Sequence, residues 1–524
     1  MISIGLSQDG PAGAHPVPQY LLAAGFEHLA CTQPRRIACI SLSKRVAYET
    51  LNEYGSQIAY QIRFERTKTQ ATRMLFLTEG LLLRQMAQDP MLSMYQVIIL
   101  DEVHERHLQG DLLIGLLRML TVQRADLKLV LMSATINLDL FKAYFPEAPV
   151  VQVPGRLYPI ELHYMPPPKK DMRFEEEQKK RGSGTKEKID ATPYARILQL
   201  IDQKYPSNER GDMLVFLSGI NEITTVGDAL KVYAEHSKRW IILMLHSTLS
   251  LEEQDKVFDV SPDGVRKCVL STNIAETSVT IDGIRFVVDS GKVKEMRYDS
   301  QSRMHMLKET LISQASAEQR KGRAGRTGPG VCYRLYSAED YAKLEAYTPS
   351  EIQRVSLESI VMQIYNLNLG VSPREFPFIE PPSADKLEES IECLRDQGAI
   401  AISALPSTDT DAENEVKRPL EELTALGRIL VNLPVDIPIG KMLVMACMFR
   451  QVEALLTAAA SLSLQSLFTN RSYRDFECAQ ARAHLLSDHG DTFAALNVYR
   501  EWMQPHRESP VIHVLIKNAK TWSR

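Results

Sequence analysis

The sequence of 524 residues has no apolar run long enough to cross a membrane. Its apolar runs, such as Val97–Leu100, have the length of buried strands, whereas a membrane-spanning helix needs about 20 apolar residues. The start of the chain also lacks the basic segment and the apolar core of a secretion signal. These absences predict an intracellular protein that does not span a membrane.

Cysteine is scarce and scattered. Seven cysteines occur, and no two of them are spaced as C-x-x-C. A disulfide framework or a structural zinc site is therefore not expected, which suits a reducing compartment.

Neither sign of charge is in clear excess, since 61 Lys and Arg stand against 65 Asp and Glu. A nucleic acid would have to be held by a local basic surface, because the net charge of −4 does not attract one. Hydrophobic residues at 44% and charged residues at 24% are ordinary for globular domains, and the length predicts three or four of these.

Short apolar runs alternate with longer amphipathic stretches through about the first 340 residues, which is typical of βαβ units and parallel sheets. The runs are Leu29–Thr32, Val97–Leu100, Leu127–Met132, Met213–Leu217, Lys267–Ser271 and Phe286–Asp289. A charged segment over 166–190 interrupts the pattern and is predicted to be a surface insertion. Beyond about residue 345 helical periodicity predominates, and Ser407–Lys417 is predicted to be a loop.

The sharpest local signal is the run Val97–Leu100 followed directly by Asp101 and Glu102. A buried strand that ends in two acids places both carboxylates at the carboxyl edge of a parallel sheet, where ligands of α/β folds bind. In a nucleotide hydrolase the first acid can hold Mg²⁺ and the second can orient and deprotonate the attacking water. A zinc interpretation is weaker, because the segment His104–His107 is one residue short of H-E-x-x-H and no third ligand is evident.

The second signal is the segment Gln319–Gly328, which reads QRKGRAGRTG. Arg323 and Arg326 lie three residues apart with small residues between them, so both are expected on one helical face. Guanidinium groups placed in this way suit a triphosphate contributed by another domain. A basic surface helix is the alternative, but Gly322 and Gly325 would each cost such a helix about 1 kcal/mol.

Five further motifs follow or close strand-like runs. They are Thr32–Arg36, Thr78–Gly80, Ser133–Thr135, Phe216–Gly219 and Ser271–Ser278. Together with the two signals above, this ordered set resembles the DEAH-box branch of superfamily 2 RNA helicases, over residues 17 to about 520. The Asp-Glu-Val-His wording, with the stretches Arg35–Val46 and Lys267–Lys294, looks most like the members associated with nonsense-mediated mRNA decay.

The resemblance implies an α/β fold of two tandem RecA-like domains with parallel sheets, followed by a winged-helix domain and a helical bundle (ratchet or HA2 domain). The implied bounds are 1–153, 154–344 with the insertion at 166–190, 345–432 and 433–524. The pieces that resemble the last two domains are Phe376–Pro382, Leu423–Arg428, Leu433–Asp436 and Ser487–Asp491.

The resemblance also implies a site for ATP, or another nucleoside triphosphate, with Mg²⁺. Asp101 and Glu102 would hold the metal, and Glu102 would act as general base on the lytic water. Gln319, Arg323 and Arg326 would reach the γ-phosphate. The other implied nucleotide contacts are His104, Ser278, Thr280 and Asp282, with Arg45 and Phe258 enclosing the base.

RNA is the implied partner, as a single strand or in a ribonucleoprotein. The implied contacts are Arg35, Arg36, Thr78, Ser218, Gly219, Thr272 and Asn273. For the two arginines the alternative is that one of them pairs with a carboxylate of the chain itself. Such groups suit phosphates and the 2′-hydroxyl, so binding should be largely independent of base sequence. Ser133 and Thr135 would couple hydrolysis to RNA movement. Protein partners of the mRNA-surveillance or G-patch type, and a cytoplasmic or nuclear location, would accompany a role in RNA processing.

One family motif is missing from the sequence. The phosphate-binding loop G-x-x-G-x-G-K-[ST] should precede Val17, but residues 8–16 read QDGPAGAHP and contain no lysine, serine or threonine. Pro11 and Pro16 also remove backbone N–H donors, on which such a loop depends. We further expect the preceding strand to be largely missing, the bundle to be cut short and a C-terminal OB fold to be absent, as in an alternative or incomplete gene product.

Two functions compete at this point. The chain is either an ATP-dependent RNA helicase, or a catalytically impaired form that acts as an RNA- or protein-binding scaffold because the phosphate-binding loop is missing.

Overall fold

The computed structural model describes residues 2–7, 16–53, 55–134, 137–153, 157–167, 189–206, 209–276, 281–299, 304–403, 420–463 and 476–503. The chain divides into two compact units. One consists of Met1–Val355 with Pro377–Pro382, and the other of Ser356–Phe376 with Ser383–Arg524.

The first unit contains an eight-stranded sheet formed before residue 154. Its strands are β1 (Ile2–Ser7), β2 (Leu29–Gln33), β3 (Ile58–Ile62), β4 (Glu65–Arg66), β5 (Met74–Thr78), β6 (Val97–Leu100), β7 (Lys128–Ser133) and β8 (Val150–Val153). Their order is β4-β3-β5-β2-β6-β7-β1-β8, and every neighbouring pair except β3 and β4 is parallel. The helices are α1 (Pro16–Ala23), α2 (Arg36–Glu49), α3 (Glu79–Gln88), α4 (Leu108–Gln123) and α5 (Leu138–Tyr144).

The central strands form because short apolar runs are buried on both faces. Every residue of β2 and β6 is buried. Continuous apolar runs of this kind suit the interior of a parallel sheet that is covered by helices. The register places Leu100 opposite Thr32 on one side and Leu131 on the other, so the residues that follow these three strands emerge at one edge.

Strand β1 shows that one expectation was wrong, because a strand does precede the segment where the phosphate-binding loop should stand. Ile2–Ser7 pairs in parallel with β7 on one side and with β8 on the other. Residues 8–15 lie outside the described part of the chain, and α1 begins at Pro16. The backbone therefore supplies the flanking strand and helix, although the segment between them has neither the lysine nor the hydroxyl of the family motif.

The first unit also contains a six-stranded parallel sheet and an antiparallel hairpin. The sheet strands are β9 (Ile160–Tyr164), β10 (Asp212–Phe216), β11 (Trp240–Leu245), β12 (Arg266–Ser271), β13 (Ile284–Asp289) and β16 (Gly330–Arg334), and the hairpin strands are β14 (Lys292–Asp299) and β15 (Met304–Leu311). The sheet order is β11-β12-β10-β13-β16-β9. The helices are α6 (Thr192–Lys204), α7 (Ile220–Ser237), α8 (Leu251–Asp255), α9 (Gln314–Gly322) and α10 (Ala338–Ala342).

The two sheets of the first unit pack against each other through an apolar contact. Ile37, at the start of α2, is 5% exposed and belongs to the hydrophobic cluster formed by Leu214, Val269 and Val287 of the second sheet. Residues 168–188 of the charged segment lie outside the described ranges.

The second unit is mainly helical, as the periodicity beyond residue 345 predicts. Its elements are α11 (Glu358–Leu367), α12 (Ala384–Asp396), the antiparallel pair β17 (Ile400–Ser403) and β18 (Leu420–Leu423), α13 (Ala425–Leu430), α14 (Ile437–Met448), α15 (Val452–Leu462), α16 (Phe476–Arg482) and α17 (Asp491–Met503). Ser407–Lys417 lies outside the described residues. The predicted α/β fold with parallel sheets and a helical C-terminal region is thus confirmed. Over the described ranges, no helix is both long enough and apolar enough to cross a bilayer.

Candidate functional site

The loop after β6 carries the two predicted acids. Asp101 is 5% exposed, and its carboxylate accepts hydrogen bonds from Gln33 Nε2 at 2.6 Å and from the backbone N–H of Glu102 at 2.8 Å. Glu102 has a left-handed backbone with φ of 55°, a conformation that costs a non-glycine residue roughly 1–2 kcal/mol. The chain turns there into the 3₁₀-helical segment Val103–Glu105. Gln33, to which sequence analysis gave no role, could have been noticed as the polar residue that ends a buried strand.

The electrostatics of this acid pair fit Mg²⁺. Burial and the neighbouring Glu102 carboxylate raise the pKa of Asp101 to about 8. A divalent cation would relieve this repulsion. Oxygen ligands are those that Mg²⁺ prefers, and it commonly takes only one or two carboxylates and completes its shell with water and phosphate.

The zinc interpretation fails on the contacts of His107. Its Nε2 lies 2.7 Å from Glu105 Oε2 and its Nδ1 lies 3.5 Å from Glu351 Oε2, so both ring nitrogens face carboxylates. Within the described ranges, no three His, Cys, Asp or Glu side chains form a metal-binding group.

His104 connects the acid loop to the second sheet. Its Nδ1 lies 3.3 Å from Ser133 Oγ at the end of β7 and 3.6 Å from Glu102 Oε2, and its Nε2 lies 2.9 Å from Gln319 Nε2 on α9. Because the Gln319 amide nitrogen donates, His104 Nε2 accepts and the ring proton sits on Nδ1, facing Ser133 and Glu102. Three predicted motifs, two from the first sheet and one from the second, therefore meet at one imidazole.

The two predicted arginine fingers do not lie on an α-helix. Helix α9 ends at Gly322, and Arg323–Gly325 continues as a 3₁₀-helical turn, so the helical segment that carries Arg323 is of the 3₁₀ type. In a 3₁₀ turn residues three apart still share a face. Arg323 is 5% exposed and donates to the backbone oxygen of Glu276, whereas Arg326 is half-buried. A basic surface helix is excluded, because Gln319, Arg320 and Arg323 are buried.

Arg320 fixes the position of this segment, a role that sequence analysis missed. Its fully buried guanidinium donates to Glu276 at 2.9 Å and to Asp289 at 2.8 Å, and lies 4.9 Å from the ring centroid of Phe216. Removing one partner of such a buried pair leaves an uncompensated charge, which typically costs about 3–5 kcal/mol. The available signal was Asp289, an acid that ends a predicted buried strand.

The remaining nucleotide candidates are more dispersed. Arg45 pairs with Glu49 at 2.8 Å on α2, and Phe258 is half-buried against the core of the second sheet. Asp282 is exposed in the turn before β13. Three predicted residues lie outside the described part of the chain: Thr135, Ser278 and Thr280.

Most RNA candidates lie where strands of the two sheets end. Arg36 is exposed at the start of α2, in the turn that follows Gln33 at the end of β2, and Thr78 ends β5. The pair Ser218 and Gly219 follows β10. Thr272 and Asn273 follow β12. Because carboxyl ends of parallel strands share an edge, these residues occupy the ligand-binding edge of each sheet.

Arg35 differs from the other RNA candidates. Its Nη2 lies 3.2 Å from Glu105 Oε2, and its Nη1 donates to the backbone oxygen of Asn273 at 3.0 Å. The side chain is only 18% exposed. In this structure the guanidinium joins the loops of the two sheets and pairs with an internal carboxylate, which is the alternative expected for one of the two arginines Arg35 and Arg36. The contact of Arg35 with RNA stays a prediction.

Glu105 and His107 continue this charged network. Burial alone would raise the pKa of Glu105, but Arg35 and His107 outweigh it and hold that pKa well below its usual range. Burial would likewise lower the pKa of His107, but hydrogen bonds to Glu105 and Glu351 raise it to about 10. Glu351 also accepts the backbone N–H of Leu108 at 2.7 Å, at the start of α4. The network lines a cavity of about 560 Å³.

Comparison with known proteins adds independent observations. Residues 194–328 match the family described as helicase conserved C-terminal domain. The chain is 55% identical over 508 residues to the human (Homo sapiens) protein named probable ATP-dependent RNA helicase DHX34, covering 97% of this chain and 42% of that protein. It is 34% identical over 507 residues to the Mus musculus ATP-dependent RNA helicase DHX33, covering 94% of this chain and 68% of that protein.

A third relative is a splicing factor. The chain is 36% identical over 506 residues to the Schizosaccharomyces pombe pre-mRNA-splicing factor ATP-dependent RNA helicase prp22, covering 95% of this chain and 40% of that protein. The chain thus spans about two fifths of the length of the DHX34 proteins it matches.

The contacts of His107 predict a pH-dependent contribution to stability. The folded pKa of about 10 lies above the ordinary value of 6.5. The stabilisation from its charge is therefore fully present below pH 6.5 and is lost as the pH rises towards about 10. We expect His107→Gln to lower the free energy of unfolding most near pH 6 and progressively less above it, as measured by urea denaturation of both proteins across this range. A difference that does not change with pH would contradict the prediction.

Proposed function

The chain belongs to the DEAH-box family of RNA helicases, and on this premise we propose that it acts as an ATP-dependent RNA helicase. It would couple the binding and hydrolysis of a nucleoside triphosphate to translocation on RNA or to its remodelling. The observation that carries the proposal is the contact between His104 and Gln319, because it joins the acid loop of the first sheet to the arginine-bearing segment of the second.

In the proposed hydrolysis step, each side chain acts according to its place in the site. Glu102, beside His104, would orient the lytic water and accept its proton. Gln319, Arg323 and Arg326 would face the γ-phosphate, where guanidinium groups balance the charge that develops as the phosphoryl group leaves. Asp101 and Glu102 would hold Mg²⁺, which supplies positive charge to the phosphates when it is bound.

In the proposed RNA-binding step, the strand ends of both sheets would form one track. Arg36 and Thr78 contribute from the first sheet, and Thr272 contributes from the second. Charged groups, hydroxyls and backbone groups fit phosphate and 2′-hydroxyl contacts, so we propose single-stranded RNA of any sequence as the ligand. Ser133, which lies 3.3 Å from His104, would link this track to hydrolysis.

The domain assignments are part of the same proposal. Residues 1–153 and 154–344 would be the two RecA-like domains, in keeping with one mostly parallel sheet in each. Residues 345–432 would form a winged-helix domain, which α11, α12 and the β17–β18 hairpin support, and 433–524 the helical bundle. Ribonucleoproteins, mRNA-surveillance or G-patch-type proteins, and a cytoplasmic or nuclear location belong to this proposal as well.

A second candidate function rests on residues 8–15. This segment has no lysine to meet the β- and γ-phosphates and no hydroxyl to meet Mg²⁺, so it does not fit the family's phosphate-binding loop. The chain would then bind RNA or proteins without turning over nucleotide. Hydrolysis measurements separate the two candidates.

The second candidate function predicts that the chain hydrolyses ATP at least roughly 10²-fold more slowly than a version with a G-x-x-G-x-G-K-[ST] loop grafted before Val17. The reason is that electrostatic contacts to a developing charge are typically worth about 3–4 kcal/mol each. The measurement is the RNA-stimulated steady-state rate of phosphate release. A second graft, in which alanine replaces the loop's lysine, is the control and should return the rate to that of the chain itself. Equal rates for the chain and the complete graft would contradict the catalytically impaired form. They would mean that other residues of the chain bind the β- and γ-phosphates.

RNA affinity gives a prediction that does not depend on hydrolysis. Arg36→Ala should weaken binding of single-stranded RNA without nucleotide, and should flatten the log–log dependence on salt by about 0.7 for the lost phosphate contact. Filter binding with oligonucleotides of several sequences measures both effects. Arg210→Ala is the matched control, because Arg210 is an exposed arginine before β10, at the amino edge of the second sheet, and its loss should leave the slope unchanged. An unchanged slope of the salt dependence for Arg36→Ala would mean that Arg36 does not contact the RNA backbone.

A further inference from the structure

Two of the proposed RNA-binding groups donate hydrogen bonds to carboxylates of the same chain. Arg35 donates to Glu105 at 3.2 Å, and Ser218 Oγ donates to Glu309 Oε2 at 2.6 Å. The first pair joins the loops after β2 and β6 of the first sheet, and the second pair joins the loop after β10 to the hairpin strand β15. A carboxylate and a phosphate are both anions that accept hydrogen bonds through two or more oxygens, and the same donors suit both.

The first pair leaves Arg35 little capacity for a second anion. Its terminal nitrogens are directed at Glu105 and at the backbone oxygen of Asn273, so the two-pronged contact that arginine makes with phosphate requires at least one of these bonds to open. Glu105 is held in place from the other side by His107 at 2.7 Å. The carboxylate is therefore fixed and charged, rather than a chance contact of two mobile side chains.

In the second pair, Ser218 and Glu309, the donor is a neutral hydroxyl, and it is likewise occupied by a carboxylate. A hydroxyl has one proton, and Ser218 gives it to Glu309, so Ser218 cannot donate to a phosphate at the same time. Glu309 lies on β15 of the hairpin and is held by Lys292 Nζ at 2.8 Å across the hairpin. Ser218 is 6% exposed, so a ligand that bonds its hydroxyl has to take the place of Glu309 in this buried contact.

We propose that Glu105 and Glu309 are internal substitutes for RNA phosphates, which occupy the RNA track in the RNA-free chain and are displaced when single-stranded RNA binds. The inference rests on the proposed function, since it assumes that this edge binds RNA. Displacement costs the two carboxylate contacts and places two freed negative charges near the RNA backbone. The two carboxylates therefore lower the affinity of the chain for RNA. RNA binds only when its own phosphate contacts outweigh the carboxylate contacts that it displaces.

The test compares charge-removing substitutions at matched positions. Glu105→Gln and Glu309→Gln keep the size of the side chain but weaken its hold on the cationic and hydroxyl donors. Glu209→Gln is the control, because Glu209 also pairs with an arginine, Arg285 Nη1, at 2.7 Å, but does so beside the start of β13, at the amino edge of the second sheet. Binding of a fluorescent single-stranded RNA oligonucleotide is followed by anisotropy without nucleotide, at several salt concentrations.

We expect Glu105→Gln and Glu309→Gln each to tighten RNA binding by about 3- to 10-fold, and Glu209→Gln to change it by less than about 2-fold. Glu105→Gln should also steepen the log–log salt dependence by about 0.7. In the unsubstituted chain the displaced carboxylate takes up a cation and offsets the counterion released by the new phosphate contact. An equal gain in RNA affinity for all three substitutions would show that the effect comes only from the net charge of the chain. That result would overturn the inference.

A double-mutant cycle tests whether the gain in RNA affinity from Glu105→Gln depends on Arg35. Arg35→Ala should weaken binding more strongly in the Glu105→Gln background than in the unsubstituted chain, and should abolish the affinity gained from Glu105→Gln. Additive effects would overturn the part of the inference that concerns Glu105. If Glu105→Gln loses its folded circular-dichroism spectrum, Glu309→Gln decides alone, because Glu309 lies on a separate hairpin.

The outcomes distinguish this inference from the proposed function. If neither the unsubstituted chain nor any variant binds RNA, the proposed function fails, and the inference fails with it. If the chain binds RNA and loses affinity on Arg36→Ala, but the affinities of the two glutamine variants are unchanged, the proposed function stands and the inference alone is overturned.

Discussion

The hydrogen bond between His104 and Gln319 is the constraint on which the proposed mechanism depends. It spans 2.9 Å and connects the loop after β6 in the first sheet to α9 beside the second. It acts together with the apolar contact of Ile37 and the bond from Arg35 to Asn273, which also hold the two sheets side by side. The imidazole lies near Ser133 and Glu102 on one side and Gln319 on the other, so it connects the acid pair to both sheets.

Buried charges hold this contact in place from both ends. On the second sheet, Arg320 pairs with Glu276 and Asp289 and fixes the helix that carries Gln319. Between the sheets, Arg35 joins the loop after β6 to the backbone of Asn273. Charge pairs of this kind contribute little net stability compared with apolar packing, but they are costly to break one partner at a time. They therefore suit a site whose two halves have to keep fixed positions relative to each other. The halves can still move apart when a ligand takes the place of an internal carboxylate.

The sequence predicted the α/β fold with parallel sheets and the helical C-terminal region, because fold class depends on local patterns. Continuous apolar runs such as Val97–Leu100 predict buried parallel strands, and the acids that follow them are expected at a ligand edge. The sequence could not predict which partner each charged side chain takes. Whether Arg35 or Arg36 would pair with an internal carboxylate was left open, and the contact of Arg35 with Glu105, some 70 residues along the chain, depends on the tertiary fold. The strand β1 was missed because its pairing with β7 and β8 is a long-range property.

The most direct measurement of this account is a double-mutant cycle at the contact between the two sheets. The free energy of unfolding is measured by urea denaturation for the chain, His104→Ala, Gln319→Ala and the double variant. The account predicts that the two substitutions are not additive, with a coupling free energy of about 0.5–3 kcal/mol, because each removes the same hydrogen bond. Additive effects would show that His104 and Gln319 act independently, and would contradict the claim that the two sheets share one site.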